Sequence, residues 1–593
     1  MSKARELSKL PNYVLSTVAE LKLAVGKEQG DKAFIGGYYA DGDGGGGDFY
    51  WDAVNVEADN GGTIFQVTGT TTGRWKRIYS GSVSVKWFGA KGDGIADDTV
   101  AWQKAIQLKQ PITANSNNIF ALSDTLVIDR QITLNGNNCR FIPSSSFVYT
   151  QDKALIKIRT TTNTTIAEKK FGQLYNVNFG NVVIDGKGTD AIGLLCDYFI
   201  GSYIHDIHIT DCNNSALQIG YENGVAYQYD AIRESTFERI STNLCGNPTL
   251  QKATLQWFTC GGEVTNSSMS TDMFFSDIRL IENKYKAMSI EHNRIFPYTI
   301  GYQYGTITTR FNNLQVDTAQ ANLYNCNVIE MAHTGYGISI ENSFIVGCPT
   351  TASGYWGYAM IKLGNNSSYA NFCETVSIIN TRIQNSANGI AVLCENIGTL
   401  QLSTNDFGSV GTKRGIVIAK INPADLQSIF LDPYHSVTVH SDTNIMSQTD
   451  LFFSQKSMIE SLGVYKNTSG VYTDFLTNKV WVSTGIFTST FVVDLATYIN
   501  ALDIQLQFIR ITVYASGGGV RSLASADMLL IDVNQSAGVK SYNILNQNAS
   551  IINLNIDSPY GFGDFHGGEG YKFRVTNSVG ATSISASILV EFL

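Results

Sequence analysis

Residues 88–106 read FGAKGDGIADDTVAWQKAI, and how this stretch is read decides the fold. Gly89, Gly92, Gly94, Asp93, Asp97 and Asp98 crowd its first half, after which apolar residues recur at helical spacing. Three readings compete. A nucleotide cradle needs G-x-G-x-x-G or a Lys-Ser/Thr pair, and GDGIADD has neither. A calcium loop needs oxygen ligands at set places, where this chain turns helical instead. In the third reading, Asp97 or Asp98 caps the N–H groups that open TVAWQKAI, its charge suiting the positive end of the helix. Ala101, Trp102, Ala105 and Ile106 then form one apolar stripe. Such a helix closes the end of a solenoid, whose first coil would otherwise expose apolar surface and unpaired backbone.

Downstream, from about residue 115 to 440, an apolar-x-x-apolar-x-apolar unit recurs. It stands at 174–179 (LYNVNF), 204–209 (IHDIHI), 237–242 (FERIST, with Thr last), 275–280 (FSDIRL), 311–316 (FNNLQV), 373–378 (CETVSI) and 397–402 (IGTLQL). The intervals are 30, 33, 38, 36, 62 and 24 residues, an irregular period with a floor that suits coils carrying variable loops. Asn-rich corners and a second short strand follow several units, as in TDCNNSALQIG and IENKYKAMSIEH. A single coil cannot bury its inner face, so neighbours must stack around a shared core. This predicts an all-β chain with a parallel β-helix over 83–440, opened by the capping helix.

On the N-terminal side, LSTVAELKLAVGK has the T-x-x-E spacing of a capping box at Thr17 and Glu20, with Val18, Leu21 and Val25 on one face. GGYYADGDGGGGDFYWD reads as a surface turn before a strand, and hairpin-like strands continue to residue 80. Residues 1–82 are therefore expected to form a small neck or adaptor region. After 440 the pattern changes. Residues 441–462 read as a connector, and 463–593 as an antiparallel β-sandwich built from VWVSTGIF, LQFIRITVYA, DMLLIDV, IINLNI, YKFRVT and SISASILVEFL.

Composition limits the partners. A net charge of −9 over 593 residues argues against nucleic acid or an anionic membrane surface. The nine cysteines form no C-x-x-C and histidines number seven, so no metal site is expected; several cysteines sit in strand-like context and read as buried thiols. No signal peptide and no apolar run of membrane-spanning length is present, so membrane insertion is not expected.

VKWFGAKGDGIADDTVAWQKAI, residues 85–106, resembles the entry motif of the pectate-lyase-like right-handed parallel β-helix family found in bacteriophage tailspikes and tail-fibre depolymerases. The resemblance implies a homotrimeric virion protein that degrades capsule or O-antigen on the host surface. It also implies that the C-terminal sandwich aids trimerisation or glycan contact, and that release from the host is by lysis. A virion-anchoring head is not evident in the first 80 residues. Attachment through an adaptor or the phage tail baseplate, or a longer natural chain, is therefore expected. The motif covers only the cap, so it transfers no catalytic residue and implies no cofactor.

Candidate chemistry must come from the coils. Glycoside hydrolysis uses two carboxylates, and stacked coils can supply the separation for either stereochemical outcome. Aligning FERIST with FSDIRL puts Arg239 and Asp277 in one column, with Asp206 of IHDIHI in the same place and Glu238 alongside. That column is either an active-site row or a ladder of exposed ion pairs. The loop CGGEVTNSSMSTD carries Glu263 and Asp272, and SIEHNR supplies Glu291, His292 and Arg294. The candidate catalytic set is thus Glu238, Glu263, Asp272, Asp277 and Glu291, with His292 and Arg294 as substrate-binding groups. Trp257, Tyr302 and Trp356 are candidates for stacking on sugar rings. Three functions stay open: a glycan hydrolase, a lyase acting by β-elimination on a uronate-containing glycan, and a non-catalytic receptor-binding spike. A deacetylase has less behind it, because no Ser-His-Asp arrangement is evident in the sequence.

Overall fold

The recurring apolar unit becomes a bent strand. In 204–209, Ile204, Ile207 and Ile209 are all buried, although strict alternation would turn Ile204 and Ile207 to opposite faces. The bend is Asp206, whose φ of 53° is left-handed; Asn181, Arg239, Asp277 and Asn313 hold the same place on neighbouring coils at 55°, 52°, 55° and 57°. One left-handed residue turns the chain through a corner and brings the next apolar side chain back inward. The two x positions of the unit are therefore the corner.

The computed structural model describes residues 11–592 apart from several segments, the longest of the helical coils being 160–173, 221–231, 260–269, 293–305, 318–325, 348–357 and 365–372; beyond residue 405 it describes strand backbones only. Each coil contributes to three parallel sheets. The first holds Ala154–Ile158, Ile192–Cys196, Leu217–Ile219, Leu255–Thr259, Met288–His292, Ile329–Met331 and Ala359–Leu363 in successive parallel register. The second and third are the halves of the bent strands before and after the corner residue, in Asn178–Thr189, Tyr203–Cys212, Thr236–Asn243, Ser270–Ile281 and Thr306–Asp317. The chain is thus a parallel β-helix.

Register makes the core a set of columns. Phe179, Ile204, Phe237, Phe275, Phe311, Ile340 and Ile378 lie one above another, all fully buried. The rings of Phe237 and Phe275 stack at 4.9 Å and those of Phe275 and Phe311 at 4.5 Å. Burying each such side chain contributes on the order of 2–3 kcal/mol, so the column holds adjacent coils together. All seven cysteines within the described residues are buried.

The helix Thr99–Gln107 stands at the start of this stack. Trp102 is fully buried, with ring centroids 5.0 Å from both Phe120 and Phe141. The two aspartates divide the work. Asp97 Oδ1 accepts from Thr99 N at 3.0 Å, capping the first turn. Asp98 instead accepts from Lys91 N at 2.6 Å and Gly92 N at 3.0 Å, tying the glycine turn to the helix start. Its carboxyl is 1% exposed, and burial pushes its pKa up to about 6.

Residues 13–77 form a five-stranded sheet around Leu21, Phe49, Phe65 and Trp75. The helix there is short, Val18–Leu21; Glu20 N donates to Thr17 Oγ1 at 3.2 Å as expected, but the Glu20 carboxylate accepts at 2.9 Å from Ser16 N, one residue before the N-cap, so only half of the expected capping box forms. Val25 is 51% exposed, outside the face expected for it, because the helix ends before reaching it. In the glycine turn, the Asp43 carboxylate accepts from four backbone N–H groups, those of Tyr38, Tyr39, Ala40 and Gly45. These bonds hold its pKa below the usual carboxylate range despite the opposing effect of partial burial.

The chain divides into two compact units, 1–391 with 399–413, and 392–398 with 414–593. Within the second unit, parallel pairing continues from Gln427–Leu431 to Thr449–Phe453 and from Val437–His440 to Val464–Thr468, through the segment expected to be a connector. The strands from Lys479 onward pair antiparallel, with Thr490–Asp494, Lys572–Asn577 and Ile552–Asp557 in one sheet and Lys479–Ser483, Leu506–Gly517, Val520–Val533, Ser536–Asn548 and Ser585–Phe592 in another.

Candidate functional site

The outward side of the first sheet is the unusual wall. Alternation turns Gln218, Gln256, Ser289, Glu330 and Lys362 away from the core, and register aligns them in one row. An outward polar row is ordinarily wet. Here Gln218, Gln256 and Ser289 are fully buried, and the Glu330 side chain is only 12% exposed.

Among the described residues, Glu291 and Glu330 are carboxylates that lie in this wall. Glu291 Oε1 accepts from Ser289 Oγ at 2.6 Å and from Gln256 Nε2 at 3.2 Å. Glu330, on the next coil, pairs with Lys286 Nζ at 2.5 Å and faces Lys362 Nζ at 3.8 Å, while Asn327 Nδ2 donates to it at 3.5 Å. Burial acts to raise the Glu330 pKa, but the two ammonium groups outweigh it and hold the carboxyl below its usual range. The Lys286 pKa stays raised, since Glu330 outweighs the effect of burial on the amine. Ser289 is the residue opposite Glu330, so Glu291 sits two residues along the neighbouring strand. Strand spacing and rise put the two Cα atoms roughly 8 Å apart. Tyr285 and Cys326 border the pair, and burial raises the pKa of both.

Of the sequence candidates, only Glu291 belongs to this wall among the residues whose side chains are described. His292 ends the same strand without a described side chain, and Glu263, Arg294, Tyr302 and Trp356 lie outside the described residues. Trp257 requires correction. It is 1% exposed and faces inward in register between Ile219 and Ile290, its ring 5.7 Å from Phe275, so it packs the core and offers no face to a sugar. Its place as the third residue of LQWFT, flanked by outward Gln256 and Phe258, is what turns it in.

The other carboxylates sit at corners or on the second sheet. Asp272 is exposed with φ 55°, in a corner column with Asn176, Gly201, Glu234, Thr308 and Gly337. Asp277 accepts from Asn313 Nδ2 in the column of left-handed residues. Register does align Asp206, Arg239 and Asp277, and the column is a corner ladder. Arg239 donates to both oxygens of Asp206, at 2.6 and 2.8 Å, and that guanidinium pulls the Asp206 pKa down to about 2. Glu238 is bonded by Tyr203 Oη and by Arg239. His205, stacked on Tyr203 at 4.1 Å, is hydrogen-bonded to Asp206 and Asn178. This network is closed on itself.

Glu330, Lys286, Gln256 and Ser289 escaped the sequence reading. The signal was present in the second short strands: LQI, MSI, IEM and IKL each carry a polar residue between two apolar ones, and aligning them lines up the row.

These features define a class: a parallel β-helix with a polar wall, preceded by a small β-sheet domain. Residues 14–80 match the phage tail protein small four-stranded β-sheet domain. The chain is 27% identical over 210 residues to the Mu-like prophage FluMu defective tail fiber protein of Haemophilus influenzae, a match covering 34% of this chain and 31% of that protein. The matched region thus spans about a third of that relative's length. Among solved structures, ORF18 of Geobacillus virus E2 aligns at 13% identity over 91% of this chain and 90% of its own, with a TM-score of 0.45. The tailspike protein of Acinetobacter baumannii phage AM24 aligns at 11% identity over 97% and 93%, with a TM-score of 0.42.

Proposed function

We propose that this protein is a phage-tail depolymerase of a bacterial surface polysaccharide, capsule or O-antigen, acting by glycoside hydrolysis on the outer wall of the first sheet. The observation that carries this reading is the pair Glu291 and Glu330, two carboxylates on adjacent coils, both enclosed by polar neighbours. Glu330, kept ionised by Lys286 and Lys362, is the base that activates water. Glu291 is the proton donor to the leaving oxygen. Carboxylates on adjacent coils can lie close enough to share one scissile bond, as paired-carboxylate hydrolysis needs. The phage-tail match of residues 14–80 supports a place in the virion tail, and the resemblance of residues 85–106 to tailspikes supports action at the host surface.

Glu291→Gln and Glu330→Gln, with circular dichroism to check folding, would be assayed for new reducing ends on purified capsule polysaccharides. Loss of release in both supports the reading; full activity in either removes it. A uronate lyase is a second reading, favoured by Lys286 and Lys362 beside the carboxylates, since a cation there could hold an enolate. Unsaturated products absorbing in the ultraviolet would decide for it. Tight binding with no shortening of any polysaccharide would leave a receptor-binding spike. A homotrimer is expected from the tailspike resemblance, and a monomer by light scattering would contradict it.

A further inference from the structure

The third sheet carries a separate arrangement that glycan hydrolysis does not use. Arg140, Val183, His208, Ser241 and Arg279 form one outward row on successive coils. His208 Nδ1 lies 2.8 Å from Ser241 Oγ, and neither residue is fully buried. Arg279, exposed, is the residue opposite Ser241 on the next coil, about 4.8 Å away along the stack. A base, a hydroxyl and a cation thus follow one another in a straight line. We propose that Ser241 and His208 form a nucleophile–base dyad that hydrolyses acyl esters, with Arg279 placed to stabilise the oxyanion.

The chemistry matches the order of the row. Ser241 Oγ attacks the ester carbonyl as His208 Nδ1 takes its proton, and the developing oxyanion faces the Arg279 guanidinium. Collapse of the tetrahedral intermediate breaks the C–O bond, and His208 returns the proton to the departing alcohol. Water, deprotonated by the same imidazole, then attacks the acyl-serine and releases the carboxylic acid, restoring Ser241. Ester and water become alcohol and acid, with no other reactant.

The surroundings keep the imidazole in its neutral, accepting form. Burial lowers the His208 pKa, Arg140 lowers it further, and Asp185 opposes them. Asp185 is itself held by Arg140 at 2.9 Å and Lys187 at 3.1 Å. Among the described residues no carboxylate hydrogen-bonds the His208 ring, so the arrangement is a dyad without the third member of a triad. Its substrate class is an acyl ester small enough for an open wall, and an O-acyl substituent on a sugar chain has that chemistry.

The test uses the whole protein with a fluorophosphonate probe and p-nitrophenyl acetate. The proposal expects covalent labelling that mass spectrometry maps to Ser241, absent in Ser241→Ala. It also expects ester turnover that falls roughly a hundredfold or more in His208→Ala. Arg279→Gln should lower kcat with little change in KM. Labelling equal in wild type and Ser241→Ala, or ester turnover unchanged in His208→Ala, would overturn it and leave the contact as a wall hydrogen bond. Glu291→Gln should leave labelling intact, so failure of either site is read independently of the other.

Discussion

Lys286 Nζ and Glu330 Oε2 meet at 2.5 Å on a wall that faces away from the core, yet their side chains are only 14% and 12% exposed. A buried pair is costly to assemble and more costly to break, because removing one partner strands the other charge. The relationship therefore reports both on the stability of the coil and on the ionisation of the proposed base.

Lys286→Met should raise the Glu330 pKa. The acid limb of the depolymerase pH–rate profile would then move to higher pH, while Lys286→Arg should largely restore its position. The sign follows from the depressed native pKa. The pair's stabilisation is present above the ordinary glutamate range and is lost as pH falls through the native value. Truncating either partner should also cost about 3–5 kcal/mol in denaturant unfolding. An unmoved acid limb in a folded Lys286→Met protein would refute the assignment.

Asp98 should make the capping segment more stable in mild acid. Its native pKa of about 6 lies above the unfolded value, so the native state binds more protons between the two. Stability contributed at this site falls as pH rises through that window and is flat above it, a span of up to roughly 3 kcal/mol. The difference between wild type and Asp98→Asn in denaturant midpoint, followed over the roughly two pH units between the ordinary aspartate value and about 6, should carry this slope. No slope would mean the carboxyl titrates normally.

Trp257 and Phe275 should behave as core residues. Trp257→Ala or Phe275→Ala should each destabilise by about 3–5 kcal/mol through lost burial and a residual cavity. Affinity of the still-folded protein for oligosaccharide should be nearly unchanged in Trp257→Phe. A large loss of affinity without loss of stability would return Trp257 to the binding surface.

Arg239→Asn should be neutral or stabilising. The residue holds φ 52°, a conformation that asparagine tolerates and that costs other side chains roughly 1–2 kcal/mol. The exposed pair with Asp206 that would be lost is worth little in solvent. A clear drop in thermal midpoint would show that the Asp206–Arg239–Tyr203 network contributes more than the corner geometry.

How much was legible follows from what kind of rule each feature obeys. The capping stretch at 88–106 is local: its glycines, its aspartates and the stripe ending at Ile106 announce a turn and a helix without reference to the rest of the chain. The apolar-x-x-apolar-x-apolar units are local too, because a corner residue resets which side chains point inward, and that alone identified stacked coils and aligned Asp206, Arg239 and Asp277. What those residues do was not local. Left-handed φ values turned the aligned column into a corner ladder, and register turned Trp257 toward Phe275. Glu330 and Lys286 lie 44 residues apart in sequence and meet only because successive coils bring 286 and 330 to the same wall. By itself, then, the sequence determined the coil, its cap and its inward faces, since these depend on spacing within a few residues. Only the tertiary structure decided which polar residues share a wall, because loop lengths that vary from coil to coil hide register from any fixed spacing.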